Sequence, residues 1–349
     1  MKRAGRVTTL LALAGLLVLA LAGPGLSVPA PTSPWPALPF RKGSIWRRTV
    51  PKGATYHDVS AALLGDPAIA PLHAKVDLVT RCTTDPSAPL VNVERSTGWR
   101  YPPRSQSTGQ VLYQRHLAPD ACIDVAWNPE GNALFVLLDP STMRADLGIG
   151  GWRVPGGPLL NTASVGPTAH DLDVVHGDGL VGYGRASGLP ALGGLIGPGE
   201  LEHGIRHAVG VVMPAPVLSA AAPHFVWPAR SADGTADLTY RGADPALAMG
   251  TLLAVPRTVD LTNFQWSTRQ GRNLAIAAQR YGLYVVDVHL GGDYVQLAMD
   301  TQAARDDLGL TIEPVTGRMG VDTSRFDPVG FDHDVAQLFT LVAAVPQSR

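Results

Sequence analysis

Glycine and proline together fill about a fifth of this chain, 38 and 30 of its 349 residues, and no other feature restricts the fold as much. Proline fixes φ and lacks an amide donor, and glycine weakens helical order, so long regular helices are excluded from most of the sequence. Charged residues are only 16%, about two thirds of the usual share, which argues against coiled coils and helical bundles. Hydrophobic residues at 45% and a formal charge of −1 equally exclude a disordered chain. The same balance supplies no cationic surplus for a polyanion, so nucleic acid is not an expected partner.

Lys2, Arg3 and Arg6 precede an apolar run from Leu10 to Ala22, and Ala20-Leu21-Ala22 offers a small-x-small site before Gly23. That pattern reads as a secretory signal peptide over residues 1–22. The run is shorter than the ~20 residues that cross a bilayer, and no later stretch reaches that length. A secreted protein, extracellular or periplasmic, with no membrane span after leader removal is therefore expected. Cys82 and Cys122 are the only cysteines, and an oxidising compartment favours their pairing. Residues 23–43, with prolines throughout, read as an extended tether, and residues 44–349 as one domain.

Short β-branched or aromatic runs recur between turn residues: Val76 to Thr80, Gln110 to Tyr113, Asn132 to Leu138, Ala208 to Met213, Leu283 to Val288 and Tyr294 to Met299. Each reads as a strand. Helical spacing is confined to Tyr56 to Leu64, Asn273 to Tyr281 and Asp332 to Val342. Regular helical crossovers are missing from this pattern, so the expected fold is mainly β, an antiparallel two-sheet (jelly-roll-like) sandwich with a few short helices.

Five segments occur in an order that resembles a widespread family of exported bacterial proteins. The block Ala186, Gly188, Leu189, Pro190, Leu192, Gly194 and Leu195 is followed by Glu200 and then by Ile205, His207, Ala208 and Val209. HFVWPARSADG (His224 to Gly234) and RYGLYVVD (Arg280 to Asp287) are similar to later segments of that family, and SIWRRTVPKGA (Ser44 to Ala54) and DPSTMRAD (Asp139 to Asp146) to earlier ones. Gly210 and Val288-His289 replace the Arg and the Asn-Gly often found there. The resemblance implies a shared fold over most of the chain after the tether and, by association, polysaccharide chemistry. It carries over no catalytic set.

Several constellations bear chemistry. Alternation along the strand after Arg206 places His207 with Val209, Val211 and Met213, where an imidazole is either a burial-tuned acid or base or a hydrogen-bonded core histidine. Glu200 and Glu202 follow the turn Gly197-Pro198-Gly199 and either serve as glycosidase carboxyls or cap that turn. Asp287 and His289 share a strand face, as a catalytic pair or as two mutually satisfied polar groups. The run His170 to Asp178 concentrates imidazoles and carboxylates, but it lacks an EF-hand pattern and reads as a solvated loop. Trp99, Trp127, Trp152, Trp227 and Trp266 include candidate sugar platforms. No serine-hydrolase elbow, P-loop or dinucleotide fingerprint is present.

The combined expectation is a secreted carbohydrate-active protein that cleaves glycosidic bonds of an extracellular or cell-envelope polysaccharide, as a hydrolase or a lyase. Its catalytic candidates are Glu200, His207, Tyr281 and Asp287, with Arg206, Trp227 and His289 at the substrate. No cofactor or metal is expected, with a calcium or zinc ion at the acidic run as the alternative. The alternative is a non-catalytic glycan-binding or structural protein of the cell envelope.

Overall fold

The structure is a computed structural model that describes residues 35–65, 70–124, 132–162, 169–312 and 319–347. In chain order the strands are β1 His57–Asp58, β2 His73–Thr83, β3 Leu90–Ser96, β4 Ser107–His116, β5 Leu134–Asp139, β6 Arg144–Gly148, β7 Leu159–Asn161 and β8 Leu172–Asp173. They continue with β9 Val209–Pro214, β10 Leu252–Ala254, β11 Leu283–His289, β12 Tyr294–Asp300, β13 Leu310–Ile312, β14 Met319–Val321 and β15 Ala343–Val345. The helices are α1 Ser60–Leu64, α2 Glu200–His203, α3 Ala236–Thr239, α4 Arg269–Arg280, α5 Thr301–Leu308 and α6 Pro328–Phe339. All six expected strands are present, and the fold is mainly β with few helices.

Among the described residues, ten strands form one sheet in the order β1-β15-β10-β11-β9-β12-β2-β5-β6-β8. Three of its pairs, β11 with β9, β12 with β2 and β2 with β5, run parallel. The expected antiparallel two-sheet sandwich is therefore corrected to a large mixed sheet accompanied by a three-stranded sheet, β4-β3-β7, and the hairpin β13-β14. A parallel pair requires a crossover. Here β2 reaches β5 through the β3-β4 excursion, and β9 reaches β11 by way of α3, β10 and α4.

Both faces of the main sheet are covered, which explains why its central strands are nearly continuous apolar runs. Leu283 and Val285 of β11 join one layer with Leu274, Ala277 and Ala278 of α4 and Val335, Leu338 and Phe339 of α6. Tyr284 and Val286 face the other layer, with Trp46, Leu189 and Leu192. Helix α4 starts where the Thr268 hydroxyl accepts the Gly271 amide proton, an N-cap. Buried Asp334 on α6 accepts from the Ser267 and Thr268 amides and the Thr268 hydroxyl, joining the two helices.

The glycine-rich block packs rather than loops freely. Trp46, almost fully buried, donates its indole N–H to the Gly179 carbonyl at 2.9 Å. Gly194 adopts φ +69°, and a Cβ there would lie 2.4 Å from the Gly210 nitrogen and 2.6 Å from the Trp46 ring. Gly194→Ala is expected to cost about 3 kcal/mol, from overpacking together with left-handed strain. Urea denaturation checks this, and a loss below ~1 kcal/mol would contradict the close packing.

The packed body also takes in part of the stretch read as a tether. Phe40 is 1% exposed and its amide donates to the Val174 carbonyl at 2.6 Å. The signal-peptide reading and residues 23–34 lie outside the described residues. Cys82 and Cys122 form a disulfide, with Cα atoms 5.3 Å apart. Among the described residues, no helix is long and apolar enough to cross a membrane.

Candidate functional site

Glu200 and His207 meet at the end of the main sheet where β9 begins. The Gly197-Pro198-Gly199 turn, with Gly199 at φ +78°, launches α2, and Asp307 of α5 accepts the Gly199 and Leu201 amide protons. Glu200 Oε2 accepts the Gly197 amide proton at 2.7 Å and lies 2.9 Å from His207 Nε2. His207 Nδ1 lies 2.8 Å from the Ala208 carbonyl. With an acceptor at each nitrogen, the doubly protonated ring satisfies both contacts. Burial opposes that charge, but the hydrogen bond and charge of Glu200, with the Ala208 carbonyl, outweigh it and hold the pKa above its ordinary value. The pair is enclosed, His207 being 5% exposed.

Asp287 belongs to the opposite end. A bulge after Val285 shifts β11 so that Asp287 pairs with Val212, five residues beyond His207 and therefore roughly 16 Å from it along the strand. Asp287 Oδ1 accepts from the Val288 amide at 2.9 Å and the Ala186 amide at 3.2 Å. Its Oδ2 lies 3.8 Å from Nη1 of Arg185, a nitrogen that also donates to Asp77 of β2. Burial pushes the Asp287 carboxyl up to about 6 even though Arg185 opposes it. Arg185 is buried, and its Nε and Nη2 have no hydrogen-bond partner among the described residues.

Of the catalytic candidates, Glu200 and His207 therefore come together and Asp287 lies apart from them. Tyr281 closes α4 inside the second apolar layer, under the Arg280 guanidinium at 5.2 Å. Arg206 is exposed. Trp227 packs partly buried and lines a hollow of about 200 Å³ with His57 and Gln347. His289 does not pair with Asp287. Its ring stacks on Tyr294 with centroids 4.0 Å apart, and its nitrogens lie 2.7 and 2.8 Å from the Gly291 and Tyr294 carbonyls. Burial, together with nearby Lys75, pushes its pKa down.

His289 does line the larger hollow, a cleft of about 660 Å³ shared with Lys75, Asp77, Trp99, Arg100 and Tyr294. Trp99 is 40% exposed there. Just beside it in sequence, Tyr101 stacks on Trp152 with centroids 5.2 Å apart. Trp266 donates its indole N–H to the Leu261 carbonyl at 3.0 Å, and Trp127 lies outside the described residues. Of the cleft residues, sequence reasoning had named Trp99 and His289 and missed Lys75, Asp77, Arg100 and Tyr294. A carboxylate inside the apolar strand Val76-Asp77-Leu78-Val79 was the available signal, because such a group must find a partner.

The acidic run builds turns. His170 Nδ1 lies 3.0 Å from Asp146, Asp173 accepts from the Val175 and His176 amides, and Asp171 pairs with Arg144 at 3.2 Å. Among the described residues, no group of three or more His, Cys, Asp or Glu is arranged to hold a metal ion. Comparison with protein-family models, with curated proteins and with solved structures finds no match for this chain.

Proposed function

We propose that the protein is exported and handles an extracellular or cell-envelope polysaccharide, binding a short stretch of it in the cleft at Trp99. The observation that carries this reading is an exposed indole face beside charged side chains in a hollow of about 660 Å³, within the about 300–1,000 Å³ typical of ligand sites. A flat apolar ring matches the C–H face of a pyranose, and the flanking charged groups match its hydroxyls and substituents. The leader sequence and the disulfide support export. Binding is favoured over cleavage at the residues first expected, because Glu200 is committed to His207 and Gly197 far from Asp287.

One observation favours a hydrolase as the second reading. Asp77 and Asp287 contact the same guanidinium nitrogen, and the Asp287 carboxyl at about 6 has the raised value expected of a general acid beside a second carboxylate.

Affinity electrophoresis through gels containing polygalacturonate, alginate, dextran or laminarin tests the binding reading. Trp99→Ala is expected to weaken retention about tenfold, the size of one lost stacking surface. Failure of the wild type to be retained by any of the four, or equal retention of the variant, would overturn it. New reducing ends that vanish in Asp287→Asn would establish the second reading.

A further inference from the structure

We infer that the polysaccharide is an acidic one, with a uronate carboxylate held between Lys75 and Arg100. This rests on the cleft being the glycan site and adds the ligand's charge.

The inference comes from the charges that the fold leaves uncompensated. Of the carboxylates at this end of the sheet, Asp77 is bonded to buried Arg185, and Asp287 lies against the same guanidinium. Asp332 and Asp293 both turn to His73, at 2.7 and 3.7 Å. His289 meets the Gly291 and Tyr294 carbonyls and, among the described residues, no carboxylate. Two charged residues that line the cleft remain, Lys75 and Arg100, and neither has a carboxylate partner among the described residues. The side chains that line the cleft thus carry two unpaired cations.

Lys75 is also held in place. Its Nζ lies 3.5 Å from the centroid of the Tyr294 ring, while His289 stacks on that ring at 4.0 Å, within 6° of parallel. The ring is thus sandwiched and serves as a seat for the ammonium group, a cation–π contact. Holding the charge in position lowers the ordering cost of binding an anion. Arg100 supplies a planar fork suited to a carboxylate, and it lines the same cleft as Trp99, so stacking and charge recognition are available in one hollow. A uronate presents both features on a single sugar.

The test compares polygalacturonate, an acidic chain, with dextran, a neutral one, by affinity electrophoresis at low and at physiological salt. The expected result is retention by polygalacturonate at least tenfold stronger than by dextran, weakening as salt rises. Lys75→Gln and Arg100→Gln are each expected to weaken it about fivefold with unchanged melting temperature, while Lys75→Arg and the distant exposed-site control Lys52→Gln keep it. Equal or stronger retention by dextran would overturn this inference and leave the cleft reading intact, as would wild-type retention of polygalacturonate by both Gln variants. If neither polymer is retained, the other two gels decide: retention by alginate, also a polyuronate, upholds the inference, retention by laminarin, a neutral glucan, overturns it and leaves the cleft reading intact, and retention by neither overturns both.

Discussion

His207→Ala is expected to lower the unfolding free energy by about 3 kcal/mol, because it leaves the Glu200 carboxylate partnered only by an amide in a mostly enclosed site. Removing one member of a buried ion pair commonly costs about 3–5 kcal/mol. The low end applies here, since the Glu200 side chain keeps 19% exposure and solvent screens part of the interaction. The pH dependence has a definite sign. The pKa of His207 is raised above 6.5 in the fold, so folding favours the protonated ring. The contribution is fully present below that ordinary value and is lost as pH rises through the folded pKa. Urea denaturation of the wild type and of His207→Ala at pH 6 and at pH 9 should therefore show a gap that narrows at the higher pH. A gap near zero at pH 6 would mean that Glu200 and His207 do not hold the fold, and would return both to the list of catalytic candidates.

Replacing Cys82 and Cys122 together by serine is expected to cost about 4 kcal/mol, the loop-closure entropy released in the unfolded chain. The separation of 40 residues sets that figure, through the logarithmic dependence on loop length. The bond also has a packing role. Cys82 lies in β2 of the main sheet, and both cysteines join Val93, Leu159 and Phe135 in the apolar cluster between the main and the three-stranded sheets. The measurement is denaturation of the wild type with and without reductant, beside the double variant. Coincident curves for all three would show that the crosslink contributes nothing. A double variant less stable than the reduced wild type would isolate the packing share.

The six strands were legible because each is a local apolar run bounded by turn residues, and local runs survive into the fold. Helix α5 was missed although Asp300 caps it, accepting from the Gln302 and Ala303 amides, and Gly309 ends it at φ +60°. Its short stretch Thr301-Gln302-Ala303-Ala304-Arg305 lacks a large apolar residue to mark a face, so the caps were the only signal. Helix α6 begins at Pro328, four residues before the periodic run, since proline at the first helical turn is favourable and breaks no pattern. The pairing of Asp287 with His289 failed for a different reason. The two keep a regular register against β9, but Asp287 is taken up by the Ala186 and Val288 amides and the Arg185 guanidinium and His289 by the Gly291 and Tyr294 carbonyls, partners that period-two alternation does not reveal.

Among the site residues, Glu200 and His207 were named separately and came together, because seven residues separate them and the intervening turn and short helix α2 fold the chain back. Asp77 and Arg185 were not linked, because 108 residues separate them and no local pattern relates a strand carboxylate to a loop guanidinium. Lys75 is unremarkable by itself. It becomes a cleft cation only when β12 lies parallel to β2 and brings Tyr294 beneath it.

By itself the sequence determined the β-rich composition, the positions of the main strands and the two cysteines available to pair, since these follow from residue chemistry and short-range periodicity. Only the tertiary structure decided which strands run parallel, which carboxylate meets which cation, and which charges stay unpaired. Those outcomes depend on contacts between residues far apart in the chain, where one shifted register exchanges the partners of every side chain on a strand.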